Sequence, residues 1–283
     1  MRKFLPLMAT LLGACSQPSE QPTGNIQDTE EISAPSDAMP VSSTVNGLRA
    51  TAINDLPRAA SSTGIDASCF EHVLNPKTPG GRLAADRGWY VTAEISLKGR
   101  DVVSFVRRFE PGTSGVCIPD GGNVAVFERS KLRGLIYAPA SASDGIGLIT
   151  KVTSTRVRIW SGTPAPPIAD VELGSGAKVQ PISAWDTHCQ DSVTVPNVYG
   201  KRIEEARRTL IRAGWRPISS NEADLSPGND SELYASGIRE VQGCSGTGYG
   251  FCNFAYEVDG GTLTLTALGG DPVIEYDVKC SPS

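Results

Sequence analysis

Histidine is almost missing from this chain: two occur in 283 residues, His72 and His188. A zinc site needs close cysteine pairs, or cysteine with histidine at ligand spacing. Only Thr187-His188-Cys189 comes near that pattern, and no further ligand lies near it in sequence, so neither a metal nor a cofactor is expected. So few histidines also limit acid-base and nucleophilic catalysis. The serines of "GTSG" (Ser114) and "CSGT" (Ser245) both miss the Gly-x-Ser-x-Gly elbow and its strand-turn-helix setting. Positive charge is not in excess either. The net charge is -5 and the pI about 5.2, and no basic stripe is interleaved with aromatics, so nucleic acid is not an expected partner. Nor is there an apolar run of the ~20 residues that a membrane-spanning helix requires. The expectation is a protein that is not an enzyme. A carboxylate pair suited to glycan cleavage stays open, because spacing in sequence does not test distance in space.

What is present begins with "MRKFLPLMATLLGAC": Arg2 and Lys3, an apolar stretch from Phe4 to Leu12, small Gly13 and Ala14, then Cys15. That order is an export signal, too short to cross a bilayer. It also resembles the lipobox of bacterial lipoproteins. The resemblance implies cleavage before Cys15, acylation of Cys15 as the new N-terminus, and a membrane partner held through the lipid, since several acyl chains anchor stably. Ser16 stands where some inner-membrane lipoproteins of Gram-negative bacteria carry Asp, so the outer membrane is implied, with the protein facing the periplasm. Residues 1–14 are read as the signal and 15–65 as a lipidated N-terminus and disordered tether. From Ser16 to Gly64 Ser, Pro, Thr, Gln and acids dominate without a sustained apolar period. Such a segment buries too little to offset its ordering entropy.

Setting Cys15 aside leaves six cysteines, an even number that reads as three disulfides in an oxidising compartment. The expected pairs are Cys69 with Cys117, Cys189 with Cys280, and Cys244 with Cys252. The last pair brackets a glycine-rich stretch, "VQGCSGTGYGFCNF". A phosphate cradle there would need a helix immediately after the glycines, whereas "NFAYEV" alternates as a strand. The two cysteines are also too far apart for a Cys-x-x-Cys redox pair. A stapled hairpin is expected, with Tyr249 and Phe251 at its tip as aromatic anchors for a partner.

Residues 66–190 read as an all-β module of unknown type. "WYVTAEISLK", "DVVSFVRRF", "NVAVFE", "GLIYA", "GLITKVTS", "RVRIWSG", "ADVEL" and "KVQPISAW" are short runs rich in Val, Ile and aromatics, separated by turn-forming "KGRD", "PDGGN" and "GSGA". No stretch in this part shows the length and 3.6-residue period of a helix.

Residues 191–283 read differently. Ile203, Ala206, Leu210 and Ile211 fall on one helical stripe, Lys201, Glu205, Arg208 and Arg212 on the opposite side, and Gly214 sits where a left-handed C-cap would end the helix. Three segments of period two follow, with "DGG" and "GGDP" as turns, so the helix is expected to lie on an antiparallel sheet. The stretch "VPNVYGKRIEEARRTLIRAGW" resembles the start of the PASTA domain of penicillin-binding proteins and bacterial Ser/Thr kinases, through Val195, Pro196, Asn197, Val198, Gly200, Glu204, Glu205, Ala206, Leu210, Ala213 and Gly214. Arg202 replaces the family's helix-capping Ser or Thr, and its later "P-x-x-G" turns are missing. The resemblance implies a small α+β fold with one helix on a sheet, and binding of peptidoglycan fragments or a spacer role. Arg208 and Arg212 are then candidates for holding an acidic ligand.

The fold class expected is therefore an all-β module followed by a small α+β, PASTA-like module. The function expected is binding or scaffolding in the cell envelope, against peptidoglycan or an envelope protein. An inhibitor of an extracytoplasmic hydrolase, presenting Tyr249 and Phe251, is the alternative, and an envelope hydrolase is a further one.

Overall fold

In the computed structural model, residues 39–60, 65–139, 142, 145–162, 164–246 and 248–282 are described. Cys15, the export signal and the chain up to residue 38 lie outside the described residues. The others belong to one compact unit, Asp37–Ser283.

The run "NVAVFE" shows how the N-terminal part is built. Val124 and Val126 face one side of their strand, Ala125 and Phe127 the other, and all four are buried. That strand sits inside a five-stranded sheet ordered β2 (Arg49–Ala52), β8 (Lys131–Tyr137), β7 (Asn123–Glu128), β4 (Arg100–Val106) and β3 (Tyr90–Leu97). A second sheet runs β1 (Val41–Ser43), β12 (Ala177–Gln180), β11 (Pro167–Leu173), β10 (Arg156–Trp160) and β9 (Leu148–Lys151). All neighbours are antiparallel except β1 and β12. Val102, Val124, Val126 and Ile136 of the first sheet share a core with Ile149, Val157, Ile159 and Val171 of the second. Sheets that bury a common face in this way form a sandwich.

The opposite face of the first sheet is covered as well. Val103, Phe105, Ala125 and Phe127 pack with Leu56 and with Ala84 of α1 (Pro79–Asp86). A sheet buried on both faces needs strands that are apolar throughout, which accounts for "DVVSFV". Pro79 opens the helix, and the Thr78 side chain accepts from the Gly81 N–H at 3.0 Å. Glu94 on β3 accepts from the N–H groups of Lys77 and Thr78 at 2.7 and 2.9 Å. A Cβ at Gly80 would lie 2.5 Å from the Phe127 ring, so glycine is what lets the helix rest on the sheet.

Two short hairpins stand apart from these sheets: β5 (Arg108–Pro111) with β6 (Cys117–Asp120), between β4 and β7 in the chain, and β13 (Trp185–His188) with β14 (Val193–Pro196), which leads into the C-terminal part. The C-terminal part is a third sheet, ordered β15 (Arg216–Pro217), β17 (Phe251–Val258), β18 (Gly261–Leu268) and β19 (Val273–Cys280), with β16 (Val241–Cys244) also paired to β17. Helix α2 (Ile203–Arg212) lays Ile203, Ala206 and Leu210 on Phe254, Tyr256, Leu263 and Leu265. Trp215 is buried beside it and donates from Nε1–H to the Thr194 carbonyl at 3.1 Å. A further helix, α3 (Asn229–Ala235), adds Leu233 and Tyr234 to the same core.

These facts overturn the fold class expected from sequence. The chain is mostly β, but helices occur in both parts: α1 and a 3-10 helix at Ala67–His72 in the first, α2 and α3 in the second. Neither an all-β module nor one helix on a sheet describes it. Helix α1 is short and carries Gly80 and Gly81 directly after Pro79, which weakens its sequence signal. Helix α3 lies in "SPGNDSELYA", where turn-forming residues mask the period. Residues 39–60, placed in the tether by composition, instead form β1 and β2 and bury Met39, Leu48 and Leu56. Their stability comes from pairing with β12 and β8, far away in sequence. Ile211, assigned to the apolar stripe of α2, is exposed.

Three disulfides join Cys69 to Cys117, Cys189 to Cys280 and Cys244 to Cys252, the pairings set out above. Cys244 and Cys252 stand directly opposite each other on β16 and β17.

Candidate binding cleft

Two hollows of about 360 and about 110 Å³ share Leu148 and Gly162, and together they make one open cleft. The larger lobe is lined by Glu71, His72, Leu74, Phe109, Val116 and Leu148, and the smaller by Thr150, Trp160, Pro164, Ile274 and Glu275. Segments far apart in sequence therefore meet here: the 3-10 helix, the β5–β6 hairpin, β9, β10 and β19.

Two irregular strand positions aim side chains into it. The register of β3 against β4 shifts between Val91 and Ala93, which leaves Thr92 as the extra residue. Its hydroxyl donates to the Gly147 carbonyl at 2.7 Å and lies 2.8 Å from the Ser104 hydroxyl, fixing the chain just before β9. The register of β10 against β11 shifts between Ile159 and Trp160. Trp160 then donates from Nε1–H to the Thr150 hydroxyl at 2.8 Å and meets the Tyr199 ring edge-on at 5.6 Å. Bulges re-aim side chains in this way beside functional sites. Gly162 adopts φ +139°, and a Cβ there would lie 2.9 Å from Pro119, so only glycine lets the two walls approach.

The Cys69–Cys117 disulfide locks the 3-10 helix to β6 at the cleft's margin. His72 stacks obliquely on Phe109 with 5.7 Å between ring centroids, and its Nε2 lies 3.8 Å from the Glu71 carboxylate. Phe70, Leu74 and Ile118 are 56, 43 and 48% exposed on the same two segments. They are three of the five large apolar side chains that stand exposed among the described residues. Of these, Leu74 lines the larger lobe, whereas Ile118 alternates with the lining residues Cys117 and Pro119 and so faces the other side of β6.

A contrasting polar centre lies behind the smaller lobe. Arg158, with 3% of its side chain exposed, donates to Asp170 at 2.8 and 3.0 Å and to Asp186 at 2.9 Å. Tyr276 donates to Asp186 and stacks on Tyr199 with centroids 4.6 Å apart. Burial would raise the Asp186 carboxyl, but hydrogen bonds from Arg158 and Tyr276, with the charges of Arg158 and Arg156, hold it below the usual range. Burial pushes the Tyr199 phenol up to about 12. His188 packs against Tyr276, and its Nε2 is buried without a hydrogen-bond partner. Burial lowers its pKa; nearby Asp186 and Asp277 oppose that shift and Arg158 adds to it.

The residues singled out from sequence fall elsewhere. Arg208 and Arg212 are exposed on α2, where Arg212 donates to the Arg208 carbonyl at 3.2 Å. Tyr249 and Phe251 lie together with centroids 5.9 Å apart, both half-buried on the disulfide loop. Among the described residues no hydrogen bond, ion pair or ring contact joins these two sets. A hollow of about 480 Å³ lies beside that loop, lined by Ser226, Asn229, Gly246, Gly248 and Gly250. It also touches Asp230, whose carboxylate already accepts from Ser226 and Ser231 N–H. Sequence reasoning missed Glu71, Thr92, Leu148, Trp160 and Glu275 as a group. "WYVTAEISLK", "GLITKVTS", "RVRIWSG" and the last alternating segment marked Thr92, Leu148, Trp160 and Glu275 as strand residues and nothing more, because bulges and sheet edges have no local signature.

Among the described residues no group of three or more His, Cys, Asp and Glu side chains is placed to hold a metal ion, and no helix is long and apolar enough to cross a membrane. No protein-family model matches the chain, and neither the curated proteins nor the solved structures contain a significant match to it.

Proposed function

We propose that the chain is an outer-membrane lipoprotein, anchored through Cys15, that binds a partner in the cell envelope and does not transform it. The observation that carries the binding role is the open cleft with its apolar lining of Leu74, Phe109, Val116 and Leu148. The export signal, the lipobox-like "LGAC" and three disulfides agree with an extracytoplasmic location. At the cleft, the described contacts of His72 are with Phe109 and Glu71.

Membrane fractionation tests the anchor: the native chain is expected with the outer membrane and Cys15→Ala in the soluble periplasm. A Cys15→Ala chain still held by membranes would remove the lipid-anchor reading.

A second reading places peptidoglycan on the PASTA-like segment. The exposed guanidinium groups of Arg208 and Arg212 on one helix favour it. Co-sedimentation with purified sacculi, lost in Arg208→Ala, Arg212→Ala, would support this surface; equal retention of the variant would dismiss it.

A further inference from the structure

We infer that the cleft takes an extended polypeptide segment that combines apolar and basic side chains. This rests on the binding role proposed above and names the class of partner.

Three features point to this ligand. The cleft's middle is apolar, through Phe109, Val116, Leu148, Trp160 and Ile274. Its ionisable lining consists of Glu71 and His72 in the larger lobe and Glu275 in the smaller, and among the described residues no Lys or Arg lines either lobe. A carboxylate in each lobe and no cation select a partner with positive charge, and such rim charges act through steering and specificity more than raw affinity. The third feature is elongation: the two lobes lie side by side, sharing Leu148 and Gly162, with exposed Leu74 on the larger one. An extended polypeptide can place successive side chains in both lobes in one binding event.

The walls are preset for such a ligand. Thr92 pins the chain before β9, Trp160 is oriented by Thr150 and Tyr199, and the Cys69–Cys117 disulfide fixes the rim. Little ordering cost is then left to the protein side on binding.

The test uses the full chain carrying Cys15→Ser, exported and oxidised, and fluorescein-labelled octapeptides that alternate leucine with lysine or leucine with glutamate. Fluorescence polarisation is expected to show saturable binding of the lysine peptide, at least tenfold tighter than the glutamate peptide. Glu71→Lys with Glu275→Lys, at two exposed positions, is expected to abolish that preference, and Leu148→Arg to remove binding. Glu222→Lys with Asp224→Lys, exposed outside the cleft, should change nothing. The proposal is overturned if neither peptide saturates, if the cleft variants bind as the parent does, or if the control pair weakens binding equally. It is also overturned if a chitin oligosaccharide displaces the peptide, which would make the cleft a glycan site. Loss of peptide binding with an intact fractionation result would leave the envelope role standing and remove only this ligand class.

Discussion

The polar centre around Arg158 and the cleft beside it are both built from segments distant in sequence, yet they end in opposite states. At the centre, Arg158 faces two carboxylates, Asp186 holds hydrogen bonds from Arg158 and Tyr276, and the tyrosine rings stack over them. In the cleft, Glu71 and Glu275 are exposed, apolar walls stand open, and Leu74 stays in water. The carboxylates of the centre are matched by Arg158 and Tyr276, while those of the cleft stand in solvent. The open contacts of the cleft are therefore read as binding capacity, and the closed contacts of the centre as the support that holds its walls.

The largest test of that contrast removes a covalent brace of the polar centre. Cys189→Ala with Cys280→Ala opens a link across a sequence separation of 91, worth about 4.5 kcal/mol on the chain-entropy account. The Cys244–Cys252 link, with a separation of 8, is worth about 2.5 kcal/mol on the same account. Urea unfolding of the two variants should rank them in that order. Equal losses would mean that strain or residual structure, and not loop entropy, sets their contribution.

Next comes the ion network. Arg158→Ala leaves Asp170 and Asp186 buried with only Arg156, 3.9 and 3.8 Å away, to balance them, and removing one partner of a buried pair costs about 3 to 5 kcal/mol. Denaturant midpoints would register it. A loss under about 1 kcal/mol would place the stability of this junction in its apolar packing instead.

Thr92→Val is expected to cost less, about 1 to 2 kcal/mol, by stranding the buried Ser104 hydroxyl and the Gly147 carbonyl. Its sharper effect should be weaker peptide binding, because the wall that Thr92 holds is released. Unchanged affinity would show that the wall is fixed by other means.

The smallest effect concerns acid. His188 has a folded-state pKa lowered from 6.5, so the unfolded chain binds the proton more readily. Its contribution is therefore complete above the unfolded value and declines as pH falls from about 6.5 toward the lower folded pKa. Unfolding midpoints at pH 7 and pH 5 should separate further in the native protein than in His188→Gln. Identical separations would show that His188 does not carry this dependence.

Local chemistry was legible where one segment contains its own reasons. The stripe Ile203, Ala206 and Leu210, the alternation from Phe254 to Tyr256 and the tight turn at Asp259-Gly260 follow from period and turn type, and the structure places them as helix, strand and hairpin. The segment of residues 39–60 was misread for the converse reason. β1 and β2 are short and rich in Ser, Thr and Ala, and they are stable only as edges added to β12 and β8. Helix α1 was missed because its glycines, which disfavour a helix locally, are what allow its approach to Phe127.

By itself the sequence determined the export-like N-terminus, the even set of six further cysteines, the acidic balance and the period of the longer elements, because each depends on residue type and near neighbours. The tertiary structure alone decided that a helix covers the first sheet, that Arg158 meets Asp170 and Asp186, and that Glu71, Thr92, Trp160 and Glu275 surround one cleft. Those relations depend on strand register, on two bulges and on which sheet edges meet. Such features are fixed by packing between distant segments and leave no trace in local spacing.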